Sequence, residues 1–111
     1  KTNKLSLTDT LRIQRTIENA SENNTLFTVN ISELASRANM SGTKFNEGFK
    51  LIYDSSPKKY LMMMKMNFAR KVLRNRELSI AEISDYLGYS DASKFSRAFK
   101  DWVGVSPREY C

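Results

Sequence analysis

Four polar residues recur at one spacing in two places: Thr43, Asn46, Glu47 and Lys50, then Ser93, Ser96, Arg97 and Lys100. On a helix advancing about 100° per residue, each set lies within an arc of about 100°. The chemistry of such an arc is hydrogen bonding to the edges of base pairs. Asn suits adenine, Glu can accept from cytosine N4, and Arg can reach guanine. Lys50 and Lys100 are suited to phosphates. A single solvated helix face could carry the same residues. The repetition at matched phase, among other basic residues, favours two helices that read a major groove.

The elements that position these arcs repeat as well. SerGlyThrLysPheAsnGluGlyPheLys at 41–50 returns as SerLysPheSerArgAlaPheLys at 93–100. Opposite the arcs lie Phe45, Phe49 and Ile52, and Phe95, Phe99 and Trp102, which the spacing assigns to the core. Each copy follows a short amphipathic segment, 31–38 and 80–87, and precedes Ser-Pro and then Tyr, at Ser56-Pro57-Tyr60 and Ser106-Pro107-Tyr110. The repeat unit is about fifty residues. Helix, tight turn and helix, used twice, is the pattern of a DNA-reading device.

Seven helices are expected. Thr8 caps the first, which runs to about Ala20 with Leu11 and Ile17 facing inward and ends at 21–24. Asn30 with Glu33, and Ser79 with Glu82, are capping-box pairs. Ser41, and Ser90 or Asp91, open the two longer helices. Pro57 and Pro107 occupy first helical positions, and the helix after Pro57 extends to about Arg74. Residues 26–29 are a short extended candidate. Gly88 stands where Asn39 stands in the first copy, and Gly104 where Asp54 does, so all four are expected in the left-handed conformation that ends a helix.

The helix from Pro57 carries Tyr60, Leu61, Met64, Phe68, Val72 and Leu73 on one side, with Met62, Met63 and Met66 widening its apolar surface. Such a helix is expected to be packed on two sides as a connector between lobes, its methionines filling gaps. It also carries Lys58, Lys59, Lys65, Arg70, Lys71 and Arg74, with Arg76 just beyond and no acidic residue among them.

The chain has 18 Lys and Arg against 12 Asp and Glu, a net +6, which favours polyanionic partners. There is no apolar run of membrane-spanning length and no signal-peptide pattern, so a cytoplasmic protein is expected. Cys111 is the only cysteine and histidine is absent. No internal disulfide, cysteine metal site or histidine base can form, and neither a cofactor nor enzymatic activity is expected. The first residue is Lys1 rather than Met, which suits a piece of a longer protein.

These residues resemble the DNA-binding domain of the AraC/XylS family of bacterial transcription regulators over residues 7–110. The second copy carries the resemblance most fully, at Ile80, Ile83, Leu87-Gly88-Tyr89, Ser93, Phe95-Ser96-Arg97, Phe99-Lys100, Gly104, Ser106-Pro107 and Tyr110. The first carries it at Leu34-Ala35, Ser41, Phe45, Phe49-Lys50, Pro57 and Tyr60-Leu61. Asp54 departs from the family's Gly, Ser84 from its Ala, and Cys111 from its Arg. The resemblance implies an all-α fold, with one helix-turn-helix lobe at about 6–55, a linker helix at about 56–75 and a second lobe at about 76–111. It implies promoter DNA as partner, read by both recognition helices in successive major-groove segments. Thr43, Asn46, Glu47, Ser93, Ser96 and Arg97 match the family's base-contacting positions. RNA polymerase, and a sensing or dimerisation domain outside this chain, are the further partners it suggests. The competing expectation is a helical protein-interaction module, which explains the repeat and the methionines but not the polar arcs.

Overall fold

The structure, a computed structural model, describes residues 5–23 and 25–110. Among the described residues there are seven helices and no strand: α1 (Leu7–Glu22), α2 (Ile31–Arg37), α3 (Gly42–Tyr53), α4 (Pro57–Arg74), α5 (Ile80–Tyr86), α6 (Ala92–Val103) and α7 (Pro107–Tyr110). The chain divides into two compact units whose boundary falls inside α4, between Leu61 and Met62. Cys111 and Asn24 lie outside the described residues.

Capping side chains set most helix starts. Ser6, not Thr8, caps α1, its hydroxyl accepting the Asp9 amide at 3.0 Å. That start places Asp9 in the first turn, where the amide ends favour a carboxylate. The helix continues past Ala20 to Glu22. Asn30 caps α2, but the Glu33 carboxylate pairs with Arg37 at 3.2 Å instead of returning to the cap, so only half of that box forms. The Ser79–Glu82 box is complete, with amide bonds of 3.1 and 2.8 Å. Asp91, not Ser90, opens α6.

Residues 26–29 are turns and a bend rather than extended chain. The amides of Thr25 and Leu26 donate to the Ala20 carbonyl, and those of Thr28 and Val29 to the Thr25 carbonyl. This folding-back buries Leu26 against its own unit.

The helix ends match between the units. After α2, Asn39 donates to the Ser36 carbonyl and Met40 to that of Ala35; after α5, Gly88 donates to Asp85 and Tyr89 to Ser84. Both are Schellman closures, which need a left-handed residue. Asn39 has φ 62°, Gly88 87°, Asp54 61° and Gly104 104°, the conformation expected at all four positions. Arg76 closes α4 the same way at φ 55°, donating to Leu73 while Glu77 donates to Val72. No turn residue in the sequence marks that position.

In the first unit α1 buries Ile13, Thr16, Ile17 and Ala20 against Leu34, Ala35, Phe45 and Phe49. Leu11 does not face inward; it is 39% exposed. It lies about 160° around the helix from Ile13, away from the buried stripe. Gly48 is the close approach in this unit, since a Cβ there would lie 2.7 Å from Ile13 Cδ1 and 3.1 Å from Leu5 Cδ1. The second unit buries Met66, Ala69, Val72, Leu73, Ile83, Leu87, Phe95 and Phe99. Trp102 is not core. It is 40% exposed, because the ring of Tyr110 takes the place against Phe99, edge-on at 5.5 Å. Ile52, its counterpart, is only half-buried. Of the methionines on α4, Met66 is buried and Met63 is exposed.

Each unit is closed by a chain of rings. Phe45–Phe49 centroids are 5.9 Å apart and Phe49–Tyr60 5.4 Å, edge-on; Phe95–Phe99 are 5.7 Å apart and Phe99–Tyr110 5.5 Å, edge-on. The apolar burial and ring geometry fix which side of α3 and of α6 faces inward.

A left-handed residue with a Cβ costs about 1–2 kcal/mol, partly offset by the lower freedom of its unfolded chain. Arg76→Gly is therefore expected to stabilise by about 0.5–1 kcal/mol, and Gly104→Ala to destabilise by about 1 kcal/mol, read from urea midpoints at unchanged slope.

Candidate nucleic-acid interface

The two arcs sit on helices held at both ends. In the first unit, Ser41 accepts the Lys44 amide at 3.2 Å, and Lys44 Nζ reaches Asp9 of α1 at 3.3 Å. In the second, Asp91 Oδ1 accepts the Lys94 amide at 2.9 Å, while the buried Ser84 hydroxyl donates to the Asp91 carbonyl at 2.9 Å. Ser84, the departure from the family's alanine, thus ties α5 to the start of α6.

On α3, Thr43, Glu47 and Lys50 are exposed and Asn46 is half-buried. On α6, Ser93, Arg97 and Lys100 are exposed and Ser96 is half-buried. All eight site residues therefore stand where the helical spacing puts them, four on each helix. Asn46 is the only one whose side chain has a hydrogen bond among the described residues, its Nδ2 donating to the Gly42 carbonyl at 2.9 Å. The amide group is turned onto its own helix, leaving Oδ1 as the outward acceptor.

The arcs border open clefts. Lys50 lines one of about 380 Å³ in the first unit, with Asp54, Ser55, Ser56 and Lys59. Ser93 and Ser96 line one of about 600 Å³ in the second, with Ile80, Ser106 and Arg108. The Ser-Pro helix starts differ in charge at these clefts. Glu109 accepts the Ser106 amide at 3.1 Å and donates its own amide to the Ser106 hydroxyl, closing α7 with a carboxylate. The bond from the Ser106 amide, and then the Ser106 hydroxyl, hold that carboxyl below its ordinary range. Lys59 occupies the matching position on α4, where its amide meets Ser56 Oγ at 3.3 Å and its cation is exposed.

Tyrosines engage three of the basic residues of α4, an arrangement sequence reasoning missed. Lys65 Nζ lies 5.2 Å over the Tyr89 ring, and the Tyr89 hydroxyl donates to Met62 Sδ at 3.7 Å. Burial pushes the Lys65 amine down and the Tyr89 phenol up. Arg74 Nη2 donates to the Tyr110 oxygen at 2.6 Å and Arg70 Nε at 3.4 Å. The only sequence signal was Tyr110 itself, matching Tyr60 in the repeat; nothing marked its partners. Lys58, Lys59, Lys71 and Arg76 are exposed.

A family model described as a helix-turn-helix domain matches residues 34–111. The chain belongs to the AraC-type helix-turn-helix family. The Msm operon regulatory protein of Streptococcus mutans is 35% identical over 80 residues, covering 72% of this chain and 29% of that protein. The C-terminal domain of AraT, a response regulator from Geobacillus stearothermophilus, shares the AraC-type fold at a TM-score of 0.79 and 27% identity, over 97% of this chain and 86% of that one. The DNA-binding domain of AdpA, a global transcriptional factor solved in complex with a target DNA, matches in fold at a TM-score of 0.78 and 24% identity, over 89% of this chain and 88% of that one. The chain spans less than half the length of the curated relatives it matches first. AraC-type domains are DNA-binding modules of transcription regulators, not an enzyme family. Among the described residues no helix is long and apolar enough to cross a membrane.

The phenols should titrate in a definite order. Hydrogen bonding from Arg70, then the bond from Arg74 and both charges, holds Tyr110 below the ordinary tyrosine value, whereas burial raises Tyr53 and Tyr89. In a carbon NMR titration of the ring signals, Tyr110 is expected to ionise before those two. Its folded-state value is the depressed one, so its contribution to stability is present above the unfolded value and is lost as pH falls through the folded one. Arg74→Gln should move Tyr110 upward.

Proposed function

We propose that this chain is the sequence-reading part of a bacterial transcription regulator, with α3 and α6 each entering a major-groove segment of one promoter duplex. The observation that carries this reading is the pair of polar arcs. In a member of a DNA-binding family, they face outward at matched phase on helices held by caps and cores, and among the described residues all but one of their side chains make no hydrogen bond.

The roles follow from side-chain chemistry. Thr43, Asn46 and Glu47 read bases in one segment, and Ser93, Ser96 and Arg97 in the other, while Lys50 and Lys100 hold phosphates. Glu47 accepts from cytosine N4, and Arg97 reaches guanine. Asn46 has two ways to read. While its Nδ2 remains on the Gly42 carbonyl, only Oδ1 can accept from an exocyclic amine; releasing that bond allows a bidentate contact with adenine. The protein works in the cytoplasm, where the promoter lies. RNA polymerase, and a sensing or dimerisation domain outside this chain, complete the regulator.

Selection of bound sequences from random duplex DNA tests the reading, with enrichment of one asymmetric, two-part motif expected. A domain that binds all duplexes alike would instead be a cationic interaction module. Asn46→Ala and Arg97→Ala should each cost about 1–3 kcal/mol and relax the motif at one position. Lys100→Gln should weaken binding to all sequences similarly and lower the salt slope by about one unit.

Inserting about half a helical turn of DNA between the two half-motifs is expected to reduce affinity to that of one half-motif. Equal affinity for both sites at one salt concentration would mean that the two helices do not engage DNA together.

A further inference from the structure

Two guanidinium groups of the second unit converge on a single phenol oxygen. Arg74 and Arg70 lie 2.6 and 3.4 Å from the Tyr110 hydroxyl, with their guanidinium carbons 5.9 and 6.0 Å from its ring centroid. Like charges gathered this closely repel, and a phenol can orient them without cancelling their charge. Among the described residues no carboxylate lies within ion-pair distance of either arginine, unlike Arg12 with Asp9, Arg37 with Glu33 and Lys44 with Asp9. The nearest acidic residues in sequence are otherwise engaged: Glu77 accepts from Asn75, and Glu109 caps α7. Most of the N–H donors of both guanidiniums remain unspent, in the fork geometry that matches a phosphate.

The position of this pair says which phosphate. In the second unit, residues 62–74 of α4 with α5 and α6 are the three successive helices of a helix-turn-helix. In three-helix versions of that motif, the loop between the first two helices and the C-terminal end of the third contact the DNA backbone. Arg70 and Arg74 stand in the last turns of α4, before that loop, and Tyr110 lies just past the end of α6 with its ring against Phe99. Tyr110 joins the two parts of the motif that meet a backbone.

We propose that Arg70 and Arg74, gathered by the Tyr110 hydroxyl, form a seat for one phosphodiester of the bound duplex, in addition to the contacts of Lys50 and Lys100. This deepens the DNA-reading function proposed above and rests on it. Tyr110 is a positioning residue, and the arginines make the contact. The seat fixes the second unit along the duplex and carries no base preference of its own.

The test uses the 111-residue chain and its selected site. Arg70→Gln and Arg74→Gln should each weaken binding about tenfold and leave the selected motif unchanged, and the two together should lower the salt slope by about 0.9. Tyr110→Phe keeps the ring and both cations and removes only the acceptor; a loss of about threefold with the motif retained is expected. Tyr110→Phe binding like wild type, at the same salt slope, would overturn its positioning role.

A scan of single methylphosphonate substitutions then locates the seat. At one backbone position, neutralising the phosphate should cost the wild type at least about tenfold, cost Arg74→Gln clearly less, and cost the Arg70→Gln/Arg74→Gln double variant nothing. If every position costs all three proteins the same, the seat is wrong. Protection of the wild type by inorganic phosphate, absent in Arg74→Gln and without a coupled position on DNA, would assign the arginines to a free anion and overturn the DNA assignment. Enrichment of no motif at all would instead sink the DNA-reading function, and this inference with it.

Discussion

The outward polar faces of α3 and α6 depend on the ring packing behind them. Phe45, Phe49 and Tyr60 in one unit, and Phe95, Phe99 and Tyr110 in the other, interlock at nearly the same distances and with the same edge-on final contact. Four buried phenylalanines, two on each helix, define a rotation about the helix axis. Once that rotation is set, the 3.6-residue period leaves residues 43, 46, 47 and 50, and 93, 96, 97 and 100, no direction but outward. The Ser-Pro step that begins the next helix returns a tyrosine to each phenylalanine pair, so the orientation of α3 and of α6 depends on residues after the helix as well as on the helix itself.

Two copies of one scaffold carry different chemistry. The first unit ends α2 and α3 on Asn39 and Asp54, opens α4 beside Lys59, and presents a carboxylate and an amide in its arc. The second uses Gly88 and Gly104, closes α7 with Glu109, and presents hydroxyls and a guanidinium. None of these exchanges touches the ring chains. These exchanges fall at positions where backbone conformation or solvent contact decides what is tolerated.

What was legible in the sequence was whatever repeats or has a fixed period. The matched phases of Phe45 and Phe95 mark the inward side, and the match of Gly88 with Asn39 marks a left-handed turn. The errors fell where a second element decides the outcome. Trp102 has the right phase for burial, but Tyr110 reaches Phe99 first. Residues 26–29 have the composition of a strand, but their amides fold back on Ala20 and Thr25. Arg76 takes a left-handed φ with no turn residue to announce it, because the closure of α4 falls there whatever the side chain. The tyrosine contacts of Lys65, Arg70 and Arg74 were invisible for a related reason. They join residues tens of positions apart, and no periodicity encodes that.

Gly48 carries a consequence for accuracy. The family model begins at residue 34, so α1 lies outside it, yet α3 rests on α1 through the missing side chain of Gly48 and the Lys44–Asp9 pair. A methyl group at 48 would have to displace Ile13 and Leu5 or lift α3 away from them. Hydrogen bonds to a base edge weaken over a few tenths of an ångström. On the proposed reading, one carbon atom in the interior would be felt first as blurred discrimination between bases, while the fold persisted. The seating of α3 on α1 thus depends on a side chain that Gly48 lacks.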